Sequence, residues 1–352
     1  MTRILQLYAA TDQGVVTTRI CPLPDVRTAT VKREINGEYS LTAVLPRGSL
    51  YENEIQIGRA VKAMVNEAGA EQYFIIKKRN RTLTGDMSVY AEHQSYYFSG
   101  VMLGAGAANE QGRPEVTFPA IRTYAVPSIT GICTWTYSRS GALRANFPAR
   151  PRPISVMEAL KSYLVGAAGG ELIFDGFNVE YVDAMGADNG AFYRYAVNLT
   201  DMGAEDILDG YATGIYPFWG SQGDTNRPLT VLTNKIYNFT GTWPIQVIVP
   251  VDMTDLFDTQ PTQQQLLDAC AEYETLHKPS GIPLSIRAAR VRVEGDVAVD
   301  LGDTVRVVNT PWGIDIKTRI FALTFDALQG RVLDVQFGTV NPGFAGAVKN
   351  MK

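Results

Sequence analysis

The chain has 352 residues, of which 45% are hydrophobic and 19% are charged, and its formal net charge is −4. This composition is typical of a globular protein with room for two or three domains, and it excludes disordered, collagen-like and strongly basic nucleic-acid-binding classes. We expect no membrane span and no signal peptide, because no apolar run approaches the roughly 20 residues that a span needs. The cysteines Cys21, Cys133 and Cys270 form no CxxC motif, so we expect reduced and mostly buried thiols.

The first 93 residues carry strand patterns. Apolar and polar residues alternate over residues 28–45 around Asn36-Gly37, which predicts a hairpin with a type I′ turn and positive φ at both central residues. Further strand-like runs cover residues 58–65, 72–78 and 87–92. We therefore predict that residues 1–93 form one small antiparallel β-barrel or sandwich.

Residues 94–210 predict a domain of mixed α/β character. The segment 94–153 is rich in Gly, Ala and Pro and reads as loops that lead into it. Ser155 and Glu158 have the spacing of a capping box at a helix start, and Gly169-Gly170 supplies the stop. The predicted helix places Met157, Leu160 and Leu164 on one face, and the strands ELIFDGF and NVEYVDAM then pair.

Residues 211–279 predict connecting strands and a second helix. This helix begins at Thr262 with Gln265 in the capping-box position, and it ends before Pro279. The residues expected to face a core are Leu266, Leu267, Cys270 and Tyr273. Residues 280–340 return to a strand pattern and predict a second barrel, and residues 341–352 form a short C-terminal tail.

The two β-rich ends share a spacing. Gly58 is followed by Val61, Gly69 and Ile76, and Gly302 is followed at identical offsets by Val305, Gly313 and Ile320. An L-x-G turn follows in both, at residues 83–85 and 328–330. The repetition is either a coincidence of common residue types or the trace of a duplicated barrel module. In a trimer, a duplicated module would present six similar units around one axis.

Several segments in order resemble the phage minor structural protein or prophage endopeptidase tail family, over about residues 25–340. The segments that carry the resemblance are Glu34–Leu41, Tyr90–His93, GGELIFDGFNVEYVDAMGADNG, Tyr195 with Asn198–Thr200, Tyr211–Pro217, Gly302–Val305, Arg319-Ile320, Thr324–Leu328, Arg331 and Val335–Gly338. Tyr96-Tyr97-Phe98 departs from the pattern, since the family tends to place an acidic residue after the first tyrosine.

The resemblance implies a fold class that is mostly β with α+β inserts. Two similar antiparallel β-barrel domains would form a pseudo-sixfold ring in a homotrimer. It also implies a structural role at the tail tip or baseplate hub of a virion tail, assembled in the bacterial cytoplasm. The implied partners are a distal tail or tube protein ring above, a tip, spike or fibre protein below, and the tape measure protein and transiting DNA in the lumen. Only 14 residues follow Gly338, so we expect no C-terminal peptidase region, no enzymatic activity and no cofactor.

Candidate catalytic and metal-binding residues read as structural. His93 and His277 lack metal-ligand spacing, and the acidic pairs Glu52 with Glu54 and Asp206 with Asp209 read as solvated charges. A calcium loop that uses Asp175, Asp183, Asp188 and Asn189 is an alternative, although its spacing differs from an EF-hand. Aromatic residues could form a sugar platform, but core or interface packing is the favoured reading; they are Tyr211, Tyr216, Phe218 and Trp219.

Two rival functions stay open at this point. A cell-wall-degrading tail peptidase predicts peptidoglycan cleavage that depends on a specific carboxylate or histidine. A receptor-binding or carbohydrate-binding tail protein predicts cell-surface binding through an exposed aromatic patch. For the hub function we also expect a neutral or acidic lumen, because a basic wall would hold DNA through phosphate contacts.

Overall fold

The structure, a computed structural model, describes residues 3–81, 85–104, 114–140, 154–206, 212–278, 284–290 and 297–338. Strands dominate these residues, so the predicted mostly β class is confirmed. The first seven strands are β1 (Leu5–Ala10), β2 (Val16–Leu23), β3 (Thr28–Glu34), β4 (Tyr39–Leu45), β5 (Ala60–Met64), β6 (Glu71–Asn80) and β7 (Met87–His93). The runs predicted at 58–65, 72–78 and 87–92 correspond to β5, β6 and β7.

The middle of the chain contributes short strands and three helices. The strands are β8 (Met102–Leu103), β9 (Ala125–Val126), β10 (Trp135–Ser138), β11 (Glu171–Asp175), β12 (Asn178–Val182), β13 (Asp188–Arg194), β14 (Leu199–Asp206), β15 (Gly214–Trp219), β16 (Thr230–Val231), β17 (Tyr237–Asn238) and β18 (Ile248–Asp252). The helices are α1 (Pro114–Thr123), α2, whose α-helical turns Val156–Glu158 and Gly166–Ala168 flank the π-helical turn Ala159–Val165, and α3 (Gln263–His277). Single 3-10 turns cover Gln94–Ser99, Thr254–Leu256 and Thr310–Trp312.

The last strands complete a large sheet. They are β19 (Leu284–Arg290), β20 (Thr304–Asn309), β21 (Ile314–Asp326) and β22 (Arg331–Gly338). Thirteen strands from both ends of the chain join in the order β14-β19-β22-β21-β3-β4-β7-β6-β5-β1-β2, with β20 beside the first half of β21 and β13 beside β20. One hydrophobic cluster contains buried side chains from both ends, among them Val31, Phe74, Ile286, Phe325 and Phe337.

The prediction of two barrels is wrong in one respect, because no sheet formed by the described residues closes on itself. The strand β3 pairs with β21 from the other end of the chain, while β2 and β14 lie at the two ends of the sheet. A distant strand satisfies the backbone groups of β3 as well as a local one would, and alternation in the sequence does not distinguish the two partners.

A second hydrophobic cluster lies under the sheet β10-β12-β11 and against α1 and α2. The predicted pairing of ELIFDGF with NVEYVDAM is confirmed as β11 and β12, and β10 adds parallel to β12. The sequence pattern does not predict α1, because Pro119 lies inside this helix and the surrounding composition is typical of loops. Phe118 and Ile121 nevertheless bury one face of α1 in the cluster.

A third cluster lies between α3 and the sheet β16-β15-β17, to which β18 adds parallel to β15. Leu266 and Cys270 are fully buried there, and Tyr273 packs against them, as predicted. The prediction for Leu267 is wrong, since this side chain is 39% exposed. The three cysteines are free, and Cys133 and Cys270 are buried.

The predicted helix starts are confirmed by their caps. Ser155 Oγ accepts a hydrogen bond from the Glu158 amide at 3.1 Å. Thr262 and Gln265 form a full capping box, in which each side chain accepts from the other residue's amide. The helix α2 stops before Gly169, whose φ is +67°. None of the helices in the described ranges is long and apolar enough to cross a bilayer.

The predicted hairpin at Asn36-Gly37 is confirmed, but its turn differs from the prediction. The Glu34 amide donates to the Glu38 carbonyl oxygen at 2.8 Å, which leaves three residues in the loop. Asn36 has a φ of +55°, whereas Gly37 has no positive φ. The turn is therefore not type I′, because only one of its residues adopts the left-handed conformation that Asn tolerates.

Candidate functional site

The hairpins β5–β6 and β20–β21 share a hydrogen-bond pattern. The Gly58 amide donates to the Ile76 carbonyl oxygen at 2.9 Å, and the Gly302 amide donates to the Ile320 carbonyl oxygen at 2.8 Å. In both hairpins the isoleucine amide donates back to the residue after the glycine, at 2.9 Å. Gly58 and Gly302 both have a φ of +87°. The repeated spacing in the sequence thus corresponds to a repeated backbone geometry.

The pairing register of the two hairpins is also the same. Val61 lies opposite Phe74, and Val305 lies opposite Thr318, at equal offsets from the preceding glycine. Val61 and Val305 are both buried. The other four residue pairs of β5–β6 also have counterparts at equal offsets in β20–β21, which continues with one further pair, Asn309 opposite Ile314.

In each module the pairing of the hairpin with the next strand shifts register at the same position. The ladder between β6 and β7 shifts register after Ile76, and the ladder between β21 and β22 shifts after Ile320. The strand orders β3-β4-β7-β6-β5 and β14-β19-β22-β21-β20 then correspond one to one. A coincidence of common residue types does not account for these agreements, so the geometry favours a duplicated module. We call these two strand sets the first module and the second module.

The strands β3 and β21 join the two modules. Their antiparallel pairing runs from Glu34 opposite Ala322 to Thr30 opposite Asp326. The Ile35 amide adds a hydrogen bond to the Phe321 carbonyl oxygen at 2.9 Å. We call this pairing the module junction, and it makes the two modules one continuous sheet.

Charged side chains tie the modules together beside this junction, and one pair of them is buried. Glu67, in the loop of the β5–β6 hairpin, forms an ion pair with Arg290 of β19 at 2.6 Å, and both side chains are 1% exposed. Asp300, which precedes β20, accepts hydrogen bonds from Arg33 and from Asn66 of the first module. A buried ion pair costs desolvation energy and tolerates little displacement, so these contacts fix the relative position of the two modules.

Among the described residues the large sheet leaves edges open at β2, at β13, at β14 and at the end of β6, and the last two belong to the strands of the two modules. The strand β14 pairs with β19 alone among the described residues, and its Glu205 and Asp206 are exposed. Beyond Ile76, β6 pairs with β7 on one side and with no described strand on the other, and its Lys78 and Asn80 are exposed. Open edges present unpaired backbone donors and acceptors to other chains. They are therefore the candidate functional surfaces of this fold.

His93 lies in the core of the first module with no exposed area. Its Nδ1 atom is 2.9 Å from Ser95 Oγ, its Nε2 atom is 3.1 Å from Gln72 Oε1, and its ring stacks on Tyr39 at 4.1 Å between centroids. Burial, aided by the charge of Arg33, lowers the pKa of His93 to about 3. The His93 ring is thus held inside the core by two polar contacts and a stacked tyrosine.

His277 lies at the end of α3 and packs on Tyr273, with 4.0 Å between ring centroids. Burial lowers the pKa of His277 to about 4. The two histidines lie in different hydrophobic units of the protein, so the structure does not bring them together.

The acidic pairs are separated into individual contacts. Glu52 pairs with Arg81 at 3.3 Å and Glu54 pairs with Arg59 at 2.7 Å. Asp206 lies on the exposed edge of β14, and Asp209 lies outside the described residues.

The four residues of the alternative calcium loop also go to different partners. Asp183 accepts from Arg139 and Ser140, which hold the pKa of its carboxyl below the usual value. Asp175 contacts Gln72, Asp188 contacts Lys317, and Asn189 contacts Asp303. In the described ranges no group of three or more His, Cys, Asp or Glu side chains is placed to hold a metal ion.

The aromatic cluster is divided between core and surface. Trp219 is 1% exposed, and its Nε1 atom donates to the Phe257 carbonyl oxygen at 3.1 Å. Tyr216 and Phe218 are half-buried on alternate positions of β15, and Tyr211 lies outside the described residues. Trp219 is a core residue, because the alternation of β15 directs it to the third cluster.

A cavity of about 40 Å³ lies between the Asn36-Gly37 turn and α2. Lys161 reaches it from α2 and donates to the Gly37 carbonyl oxygen at 2.8 Å, and burial lowers the pKa of Lys161 to about 8. An ordered water needs about 10–15 Å³ and a ligand pocket several hundred. The cavity therefore fits water at most.

The residues that hold the modules together were not singled out from the sequence. Glu67 and Arg290 lie 223 positions apart, and so no local spacing relates them. In the sequence, Arg290 is one charged residue inside the strand pattern SIRAARVRV. This pattern is equally consistent with a side chain that faces solvent.

Solved tail proteins share this architecture. The prophage tail protein gp18 from Listeria monocytogenes EGD-e matches with a TM-score of 0.62 and 14% identity, over 99% of this chain and 98% of that chain. The tail protein from Neisseria meningitidis MC58 matches with a TM-score of 0.58 and 12% identity, over 98% of both chains. The 43 kDa tail protein of prophage MuSo2 from Shewanella oneidensis matches with a TM-score of 0.55 and 10% identity, over 97% of this chain and 99% of that chain.

No protein-family model and no curated protein matches this sequence. The resemblance to the prophage endopeptidase tail family therefore stays a prediction. Over nearly its whole length, the chain has the fold of these three phage-type tail proteins.

Proposed function

We propose that this chain is a structural subunit of the tail of a phage or phage-like particle. Three copies form a hub at the tail tip or baseplate, and this hub closes the tail tube. The shared fold of three solved tail proteins supports a tail role. The duplicated module supports the hub, because two equivalent modules in each of three chains match a sixfold tube.

A single observation carries this proposal. The two modules repeat the same glycine conformation, pairing register and ladder shift, and they are joined side by side through the module junction. Side-by-side joining of equivalent units is the arrangement from which a ring is built.

The hub has partners on two sides and in its lumen. A distal tail or tube protein ring docks above, and a tip, spike or fibre protein attaches below. The tape measure protein and transiting DNA occupy the lumen, whose wall is neutral to acidic in keeping with the net charge of −4. The protein thus resides in the virion tail after assembly in the bacterial cytoplasm.

The proposed role involves no chemical step. His93 is held in the core by two hydrogen bonds and a stacked ring, and Glu52 and Glu54 are engaged in ion pairs. We expect purified protein to leave peptidoglycan intact in a zymogram, and lysis that is lost in a Glu54→Gln variant would support the rival hydrolase function.

Native mass spectrometry of the purified chain, followed by electron microscopy, tests the hub. The expected result is a trimeric mass and a ring with six similar lobes. Antibody labelling of intact particles should place the protein at one end of the tail. A strictly monomeric protein at tail concentrations, or labelling along the whole tail, would contradict the proposal.

A further inference from the structure

The module junction supplies a template for a second, intermolecular junction. Each strand of the first module has a counterpart in the second, so that β3 corresponds to β14 and β21 corresponds to β6. Within the chain, β3 and β21 pair with each other. Their counterparts β14 and β6 each present an unpaired edge at the equivalent position among the described residues. A strand pairing equivalent to the module junction can therefore form between β14 and β6 of different chains.

The register of this second junction follows from the equivalences. Because Ile76 corresponds to Ile320 and the ladder shifts after both, Asn80 corresponds to Thr324. On the other side Leu41 corresponds to Ile286, because these two residues pair with the partners of Ile76 and Ile320. The pairing of the next strands, β3 with β4 and β14 with β19, then makes Lys32 correspond to Glu205.

Within the chain, Thr324 lies opposite Lys32. We propose that β14 of one chain pairs antiparallel with residues 79–81 of a second copy of this chain, with Glu205 opposite Asn80. The same register places Asp206 opposite Arg79.

The charges on the two edges fit this pairing. The open edge of β6 carries Lys78 and Arg79 and is followed by Arg81, whereas the open edge of β14 carries Glu205 and Asp206. Within the chain Arg79 donates to the Ile55 carbonyl oxygen and Arg81 pairs with Glu52, so Lys78 is the positive charge with no ion pair among those described. Charges on edge strands discourage unwanted pairing. Two β14 edges repel each other, and so do two β6 edges, while β14 with β6 is attractive.

The contact is heterologous, because it uses different surfaces of the two copies. Heterologous contacts produce closed rings or open filaments. If the second junction repeats the rotation of the first, three chains close into a ring of six modules. This pairing deepens the proposed hub function, and only its threefold closure rests on that function.

Disulfide cross-linking tests the register. Asn80 and Glu205 are both exposed, and opposing residues of antiparallel strands lie within the Cα separation that a disulfide spans. The chain carrying Asn80→Cys with Glu205→Cys is oxidised and run on a non-reducing gel. We expect covalent trimers that dithiothreitol converts to monomers.

Matched controls separate this contact from accidental oxidation. The pair Asn80→Cys with Thr200→Cys keeps two exposed cysteines but moves one by about 13 Å or more along β14. Each single variant reports cross-links through the native Cys21. The proposed pair should exceed these controls by about tenfold in cross-linked fraction.

The outcomes distinguish the pairing from the hub. Covalent trimers support both, and a ladder beyond the trimer supports the pairing while it contradicts the threefold ring. A trimeric native mass with cross-linking no greater than in the controls would overturn the pairing and leave the hub standing. Loss of the native oligomer at high salt accompanies the first two outcomes, because the edges attract by charge.

Discussion

The two modules have one backbone plan but different surroundings. The strands β3 and β4 of the first module are joined by a three-residue turn, whereas their counterparts β14 and β19 are separated by the unit that contains the third hydrophobic cluster. The four residue pairs nearest the insertion keep the register of β3–β4, and β14–β19 differs from it only farther away, by a register shift between Thr200 and Gly203. A hairpin turn on the surface therefore tolerates a whole inserted unit, because the ladder and the buried side chains define the module.

The modules also differ in how their edges are used. The first module buries its β3 edge against the second, while the edge of β14 in the second has no partner strand among the described residues. Under the proposed pairing, equivalent strands would hold the chain together in one module and join two chains in the other. The following changes test how far the equivalence extends.

The largest expected effect comes from the buried ion pair between the modules. Replacing Arg290 by Met leaves Glu67 charged and unpaired in a site where both side chains are 1% exposed. We expect the free energy of unfolding, measured by urea denaturation, to fall by about 3–5 kcal/mol.

Two variants sharpen this test. The double variant Arg290→Met with Glu67→Leu should recover much of the loss, because a buried apolar pair needs no compensation. Arg306→Ala breaks the exposed pair with Asp315 and should have a far smaller effect on stability, because solvent screens an exposed ion pair. Equal losses in Arg290→Met and Arg306→Ala would show that the buried pair does not hold the modules together.

Alanine substitution of the equivalent glycines Gly58 and Gly302 should lower the stability of the protein by different amounts. Both have a φ of +87°, so alanine costs about 1–2 kcal/mol of backbone strain at either position. A Cβ at Gly302 would also lie 2.7 Å from the Met185 carbonyl oxygen, whereas a Cβ at Gly58 meets nothing within 4 Å. Gly302→Ala should therefore lower the free energy of unfolding by about 1–3 kcal/mol more than Gly58→Ala. Equal losses would contradict the close approach at Gly302.

Lowering the pH should reduce the stability of the protein through His93 in the first module. Its pKa is lowered to about 3 in the folded protein, and its unfolded value is near 6.5. Between these values the unfolded chain binds the extra proton, so stability falls as the pH drops below 6.5 by up to about 1.4 kcal/mol per pH unit.

Denaturation of a His93→Gln variant at several pH values checks this effect. His277, whose pKa is lowered to about 4, contributes a second slope over a similar range. His93→Gln and His277→Gln should each flatten part of the wild-type dependence. An unchanged slope in His93→Gln would mean that His93 is protonated in the folded protein.

The smallest effect should be the same in both modules. Ile76 and Ile320 are fully buried at equivalent positions, so removal of one methylene by Ile→Val should cost about 1 kcal/mol in each case. Thermal denaturation of the two variants compares them directly. A loss confined to one variant would show that the modules are packed differently around the shared backbone.

Much of the local structure could be predicted from the sequence. Alternation placed β5, β6 and β7, and the capping residues Thr262 and Gln265 placed the start of α3, since both signals act within a few residues. The π-helical turn in α2 and the helix α1 around Pro119 could not be predicted from such local signals, because buried contacts override local propensity there.

The candidate surfaces were less predictable than the strands. The repeated offsets pointed to a duplicated module, but not to an open sheet shared by both copies. The sequence analysis did not single out Arg290, whose partner Glu67 is distant in the chain. It paired Asp206 with Asp209, whereas the structure places Asp206 on the edge strand β14.

The sequence by itself determined the strand-rich class, the two helix caps and the duplicated spacing, because each depends on residues that are neighbours in the chain. Only the tertiary structure decided that β3 pairs with β21, that Glu67 and Arg290 share a buried site, and that no strand in the described ranges covers the outer edge of β14 or the end of β6. These features depend on which distant strands satisfy each other's backbone groups, and the free energy of that choice comes from contacts across the whole fold.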